Sequence, residues 1–126
     1  MRRIVLLLGL MVMTAIFVTA AFAATRIGTQ GSDELIGTDN SDAIYGLGGT
    51  DIASGGAGDD YIEGGLGHDV ISGNTGDDTI VAVDGVVDND SVAGGAGTND
   101  RCYVDSVDEA DVSSCEHIFV GVEPPV

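Results

Sequence analysis

Residues 55–63 read GGAGDDYIE and residues 64–72 read GGLGHDVIS. Laid one over the other, the two nonapeptides share glycine at positions one, two and four, aspartate at position six and isoleucine at position eight. A fixed period of this kind is the signature of a repeat architecture and takes precedence over any element-by-element reading. Carried outward, the same phase divides residues 28–81 into units without a gap. GTQGSDELI, GTDNSDAIY and GLGGTDIAS precede the pair, and GNTGDDTIV follows it. The sixth positions are Asp33, Asp42, Asp51, Asp60, Asp69 and Asp78; the eighth are Leu35, Ile44, Ala53, Ile62, Ile71 and Ile80. Ala82 to Asp84 interrupt the phase, which resumes over 85–93 with Asp90 and Val92. A last partial unit, Gly94 to Gly97, reaches Asp100 one residue late.

Each part of the unit has a physical reading. Glycine at positions one, two and four permits the positive φ angles and close backbone approach of a tight turn. The final three residues alternate outward, inward, outward as a short strand does, and only the middle one is regularly aliphatic. One such strand cannot bury its aliphatic side chain alone. Units must therefore stack, with the eighth-position side chains forming one narrow core, which predicts an all-β solenoid.

The repeat resembles the G-G-x-G-x-D-x-U-x pattern of the RTX, or haemolysin-type, calcium-binding proteins. That resemblance implies a parallel β-roll in which two nonapeptides make one coil. Asp33 then faces Asp51, Asp51 faces Asp69, Asp42 faces Asp60 and Asp60 faces Asp78. Carboxylates stacked at the strand spacing of about 4.8 Å repel strongly unless cations lie between them. Calcium suits such a gap, since it takes six to eight oxygens and accepts backbone carbonyls beside carboxylates; magnesium demands a tighter octahedron. The predicted metal ligands are Asp33, Asp42, Asp51, Asp60, Asp69, Asp78 and Asp90, with inserted residues shifting the phase of Asp90 and Asp100. Asp59 and Asp77, at fifth positions, read as solvent-facing charge.

Charge leads to a divalent cation independently of the resemblance. The chain has 21 acidic residues against four of Lys and Arg, a formal net charge of −17. Arg2 and Arg3 precede an apolar run from Ile4 to Ala20 that ends in Ala21-Phe22-Ala23, the pattern of a secretory signal peptide. An uncleaved membrane anchor is the alternative, although the small-x-small end and the lack of downstream positive charge fit removal better. Cleavage after Ala23 leaves Arg26 and Arg101 as the cations and a net charge of 2 − 21 = −19. Such a chain repels itself unless a counter-charge is supplied, and it lacks the clustered cations that nucleic acid requires.

Past Gly97 the glycines nearly stop. Cys102, Tyr103 and Val104 are followed by an acidic stretch holding Asp105, Asp108, Glu109 and Asp111, then by Cys115, Ile118, Phe119 and Val120. Two short strands joined by a polar loop are expected here, pinned by a Cys102–Cys115 disulfide, because an even cysteine count in an exported chain reads as a bridge. They would cap the open end of the solenoid. The expected organisation is thus a signal peptide over 1–23, a calcium-binding β-roll over 24–100 and a C-terminal cap over 101–126. Asn89-Asp90-Ser91 also matches a glycosylation triplet.

No nucleophile elbow, metalloprotease helix or cysteine–histidine pair with a plausible third group is present in the sequence, and neither His68 nor His117 has a clear partner. The function expected is a secreted, non-enzymatic module that folds on binding Ca2+, with calcium ions as its partners and the membrane met only through the signal peptide. The alternative is a surface or matrix adhesion protein stiffened by calcium, with Ile52 and Val70 in one outward column and Ala43 and Tyr61 in the other. Stand-alone repeats behind an N-terminal signal are similar to short bacterial proteins exported by the general secretory route, and unlike the usual RTX appendage of a toxin or enzyme.

Overall fold

The computed structural model describes residues 22–86, 90–105 and 112–126. The apolar run from Ile4 to Ala20 lies outside the described residues, as do Asn89 of the glycosylation triplet and Asp108, Glu109 and Asp111 of the acidic stretch.

Every described element is a strand, and the strands alternate between two parallel sheets. The first holds β1 (Thr25–Ile27), β3 (Ala43–Tyr45), β5 (Tyr61–Glu63), β7 (Thr79–Ala82), β9 (Arg101–Val104) and β11 (His117–Val120), neighbouring one another in that order. The second holds β2 (Glu34–Ile36), β4 (Ile52–Ala57), β6 (Val70–Thr75), β8 (Ser91–Ala96) and β10 (Val112–Ser113), again in chain order. The chain therefore winds as a β-solenoid, crossing from one sheet to the other through each glycine-rich turn. Register follows the double nonapeptide: Ala43 pairs with Tyr61 and Ile52 with Val70. The interruption at Ala82–Asp84 and the extra residue before Asp100 leave the ladder unbroken, since Val70 pairs with Ser91 and Thr79 with Arg101. Ala82 lengthens β7 and pairs with Val104, and the other inserted residues are absorbed between strands, where a longer connection disturbs no pairing.

The core is one file of side chains from each sheet, widened by buried Ala82 and Val104 at the ends of β7 and β9. Ile44, Ile62, Ile80 and Cys102 face Leu35, Ala53, Ile71 and Val92, all buried, with Val112 packed against them. Val81 and Tyr103, next to Ile80 and Cys102, are buried as well; in β4 the neighbour points out, Ile52 remaining 55% exposed while Ala53 is 2% exposed. This is the alternation that a period of two demands of a sheet with one wet face. Arg26 is aligned with Ile44 at one end of the file, where its Nε donates to the Ile36 carbonyl at 3.1 Å.

The C-terminal segment continues the winding. Its two long strands, β9 and β11, lie side by side in parallel as successive rungs, and β10 supplies the second sheet between them. Tyr103 and Phe119 stack on the outer face with ring centroids 4.6 Å apart. Cys102, fully buried in the core file, is bonded to half-buried Cys115 across a Cα–Cα distance of 6.1 Å. The bridge closes a short loop, so its reduction is expected to cost about 3 kcal/mol by the chain-entropy relation. Calcium-saturated thermal unfolding with and without reductant measures this, and an unchanged midpoint would contradict it.

Candidate metal centre

The sixth-position aspartates stand at the start of each strand, one residue before the first outward side chain. Each places its main chain and its carboxylate in the ladder together. The carbonyl of Asp51 accepts the Val70 N–H at 2.9 Å, and the Asp51 N–H donates to Asp69 Oδ1 at 2.9 Å. The same relation recurs along both edges of the solenoid. In one column the N–H of Asp33 donates to Asp51, that of Asp51 to Asp69 and that of Asp69 to Asp90. In the other, Asp42 donates to Asp60, Asp60 to Asp78 and Asp78 to Asp100, at 2.7 to 2.8 Å. The steps are 18 residues within the regular repeats and 21 or 22 across the insertions. Asp90 and Asp100 thus fall into register despite their shifted phase. Asp59 and Asp77 are exposed, yet they form an outer ladder of their own, with the Asp77 N–H donating to Asp59 Oδ1 at 2.9 Å.

In five of these carboxylates one oxygen is used in this way and the other is left over. Oδ2 of Asp51, Asp60, Asp69, Asp78 and Asp100 is buried and accepts no hydrogen bond. Such an orphan is costly for a neutral group and more so for an anion, so a ligand that supplies positive charge is called for. The space in front of these atoms is lined by oxygen. A methyl group added at Gly46 would overlap both Asp51 Oδ2 and the Gly64 carbonyl, and one added at Gly73 would overlap Asp78 Oδ2 and the Gly94 carbonyl. Glycine at position one is therefore required by close approach.

The donor set fits a hard cation. Among the described residues no three carboxylate, imidazole or thiol groups gather at one point. An ion lodged here would be held by one or two carboxylates and completed by main-chain carbonyls and water, a mixture that calcium accepts and zinc does not.

The electrostatics separate two kinds of aspartate. Burial pushes the Asp78 carboxyl up to about 6, opposed by the Asp60 N–H and reinforced by the charges of Asp60, Asp100 and Asp59. Burial likewise raises Asp90 to about 6, against the Asp69 N–H and with the charges of Asp69 and Asp84. Asp60 and Asp69 move in the same direction, with burial again the largest cause. Asp42 behaves differently. Burial pushes it up, but N–H donors from Ala24 and Thr38, the Thr38 hydroxyl and the Arg26 charge outweigh that and hold it below the ordinary range.

A carboxyl whose folded pKa is raised favours the fold while protonated and opposes it once ionised. Metal-free stability from Asp78 and Asp90 is thus present below about pH 4 and lost as pH rises through about 6. In chelator, the protein is expected to hold more β-structure at pH 4 than at pH 7 by circular dichroism. Equal spectra, or the reverse order, would contradict the assignment.

Sequence reasoning placed Asp33, Asp42, Asp51, Asp60, Asp69, Asp78 and Asp90 in the metal set, and the structure brings all of them into the two columns. It did not include Asp100, which is fully buried in the second column. Nor did it single out Glu116, whose Oε2 accepts the Asp100 N–H at 2.9 Å and so continues that column. A signal for Glu116 exists. Residues 116–119 read EHIF against DRCY at 100–103, acid first and the inward residue third, but no glycine turn precedes them.

A family model for the RTX calcium-binding nonapeptide repeat matches residues 27–62 and 54–86, in four copies. No curated protein and no solved structure matches the chain.

Proposed function

Residues 27–86 being RTX calcium-binding nonapeptide repeats, we propose that the protein is a secreted calcium sensor of the simplest kind, one that folds when the ion binds. The single observation that supports this reading is the file of orphaned, buried Oδ2 atoms on Asp51, Asp60, Asp69, Asp78 and Asp100. Calcium between successive turns neutralises carboxylates that otherwise repel along each column. Asp33, Asp42 and Asp90 belong to the same columns through their own ladder bonds. The repeat family is a structural calcium-binding module and not an enzyme family.

Coupling of binding to folding follows from the proportions of the coil. The core is one side chain deep from each sheet, so burial offsets little of the ordering entropy of the turns. Metal binding free energy then becomes folding free energy. Extracellular modules commonly bind calcium at about 10⁻⁴ to 10⁻³ M, a range met outside cells and not in the cytosol. The chain would stay unfolded before export and order itself afterwards. Calcium titration by calorimetry tests this: several ions per chain are expected, bound cooperatively with the large heat of folding, and a single weak site without folding heat would sink it.

A further inference from the structure

Among the turns described throughout, two kinds occur, and the difference lies at position two. In the turns that lead to Asp51, Asp60, Asp69, Asp78 and Asp100, the second residue has positive φ: Leu47 at 77°, Gly56 at 113°, Gly65 at 98°, Asn74 at 76° and Gly95 at 118°. These are the same five aspartates whose Oδ2 is orphaned. In the first two turns the second residue is Thr29 or Thr38, and neither has positive φ. A β-branched side chain is a genuine outlier in that region, so threonine holds the turn in the other conformation. There the Thr29 N–H donates to Asp33 Oδ2 at 2.6 Å and the Thr29 hydroxyl donates to the same atom at 2.8 Å. Thr38 repeats this, its N–H donating to Asp42 Oδ2 and its hydroxyl to Asp42 Oδ1 at 3.2 Å. The oxygen that elsewhere waits for a partner is taken by the turn itself.

We propose that Thr29 and Thr38 close the first two turns to metal, so that ion binding begins at Asp51 and Asp60 and the amino-terminal coil serves as a metal-free platform. The proposal rests on the calcium reading above and refines it. A cation at Asp33 or Asp42 would have to displace two donors from the same carboxylate, whereas at Asp51 it displaces none. The closed turns still act on the open ones, because the N–H groups of Asp33 and Asp42 donate to Oδ1 of Asp51 and Asp60. They orient the first metal-binding carboxylates without binding metal themselves. The solenoid is thereby polar, self-satisfied at its start and metal-dependent beyond it.

Calcium stoichiometry of the purified protein and three double variants tests this, with circular dichroism in saturating calcium as the check on folding. Asp33→Asn with Asp42→Asn keeps an acceptor for each threonine and is expected to bind as many ions as the unsubstituted protein, at a midpoint shifted less than about twofold. Asp51→Asn with Asp60→Asn is expected to lose about two ions. Thr29→Gly with Thr38→Gly frees Asp33 and Asp42 and is expected to gain ions. Equal losses in the first two variants would overturn the proposal, as would a folded glycine variant that gains none. Absence of calcium binding by the unsubstituted protein would instead overturn the calcium reading on which the proposal rests.

Discussion

Chelation of calcium at pH 7 is expected to abolish most of the far-ultraviolet β signal of the protein, and restoring calcium to recover it. Among the described residues, five buried carboxylates have an oxygen with no donor. Each ionised group left unpaired in the interior costs several kcal/mol even after relaxation. A small domain has only about 5–15 kcal/mol of stability in total. Each of the five accepts one main-chain N–H, which offsets part of that penalty, but the remainder and the mutual repulsion along each column draw on a small reserve. The Cys102–Cys115 bridge survives chelation, so the unfolded chain keeps one closed loop. A spectrum that is unchanged in chelator would mean that the orphan oxygens are satisfied by something other than metal.

The largest effect expected of a single core substitution comes from Ile62→Ala. Ile62 is fully buried, lies opposite Ile44 and Ile80 in the ladder and sits at the middle of the file. Truncation of such a side chain costs about 2–5 kcal/mol, and a core one residue wide has few neighbours that could move in to fill the gap. Because folding and binding are one event, the loss appears as a higher calcium requirement. With on the order of four ions taken up together, a penalty of about 3 kcal/mol moves the midpoint about threefold. Ile52→Ala, at an outward position 55% exposed, is expected to move it hardly at all. Calcium titrations followed by circular dichroism compare the two; equal shifts would show that the inward file is not what holds the coils together.

How much of this was legible in the sequence depended on which feature carried the period. The inward file from Leu35 to Val92 follows from the aliphatic eighth position alone, and the pairings Ala43–Tyr61 and Ile52–Val70 follow once two repeats make a coil. The disulfide followed from cysteine count and expected export. The further rungs β9 and β11 read as a separate pair, because the glycine turn before β9 carries an inserted residue and no glycine turn precedes β11. There the fold is maintained by register with the preceding coil, which no local pattern announces. Asp100 was set aside on account of one inserted residue, although the turn before it absorbs the insertion. The split between closed and open turns was visible as threonine against glycine at position two. It was hidden by Leu47 and Asn74, non-glycine residues that also take positive φ.

The most direct test is anomalous scattering from crystals grown in calcium. Strong calcium peaks are expected along both edges of the solenoid, each about 2.3–2.6 Å from Oδ2 of Asp51, Asp60, Asp69, Asp78 or Asp100. Edges without such peaks, in a chain folded as described here, would contradict the account.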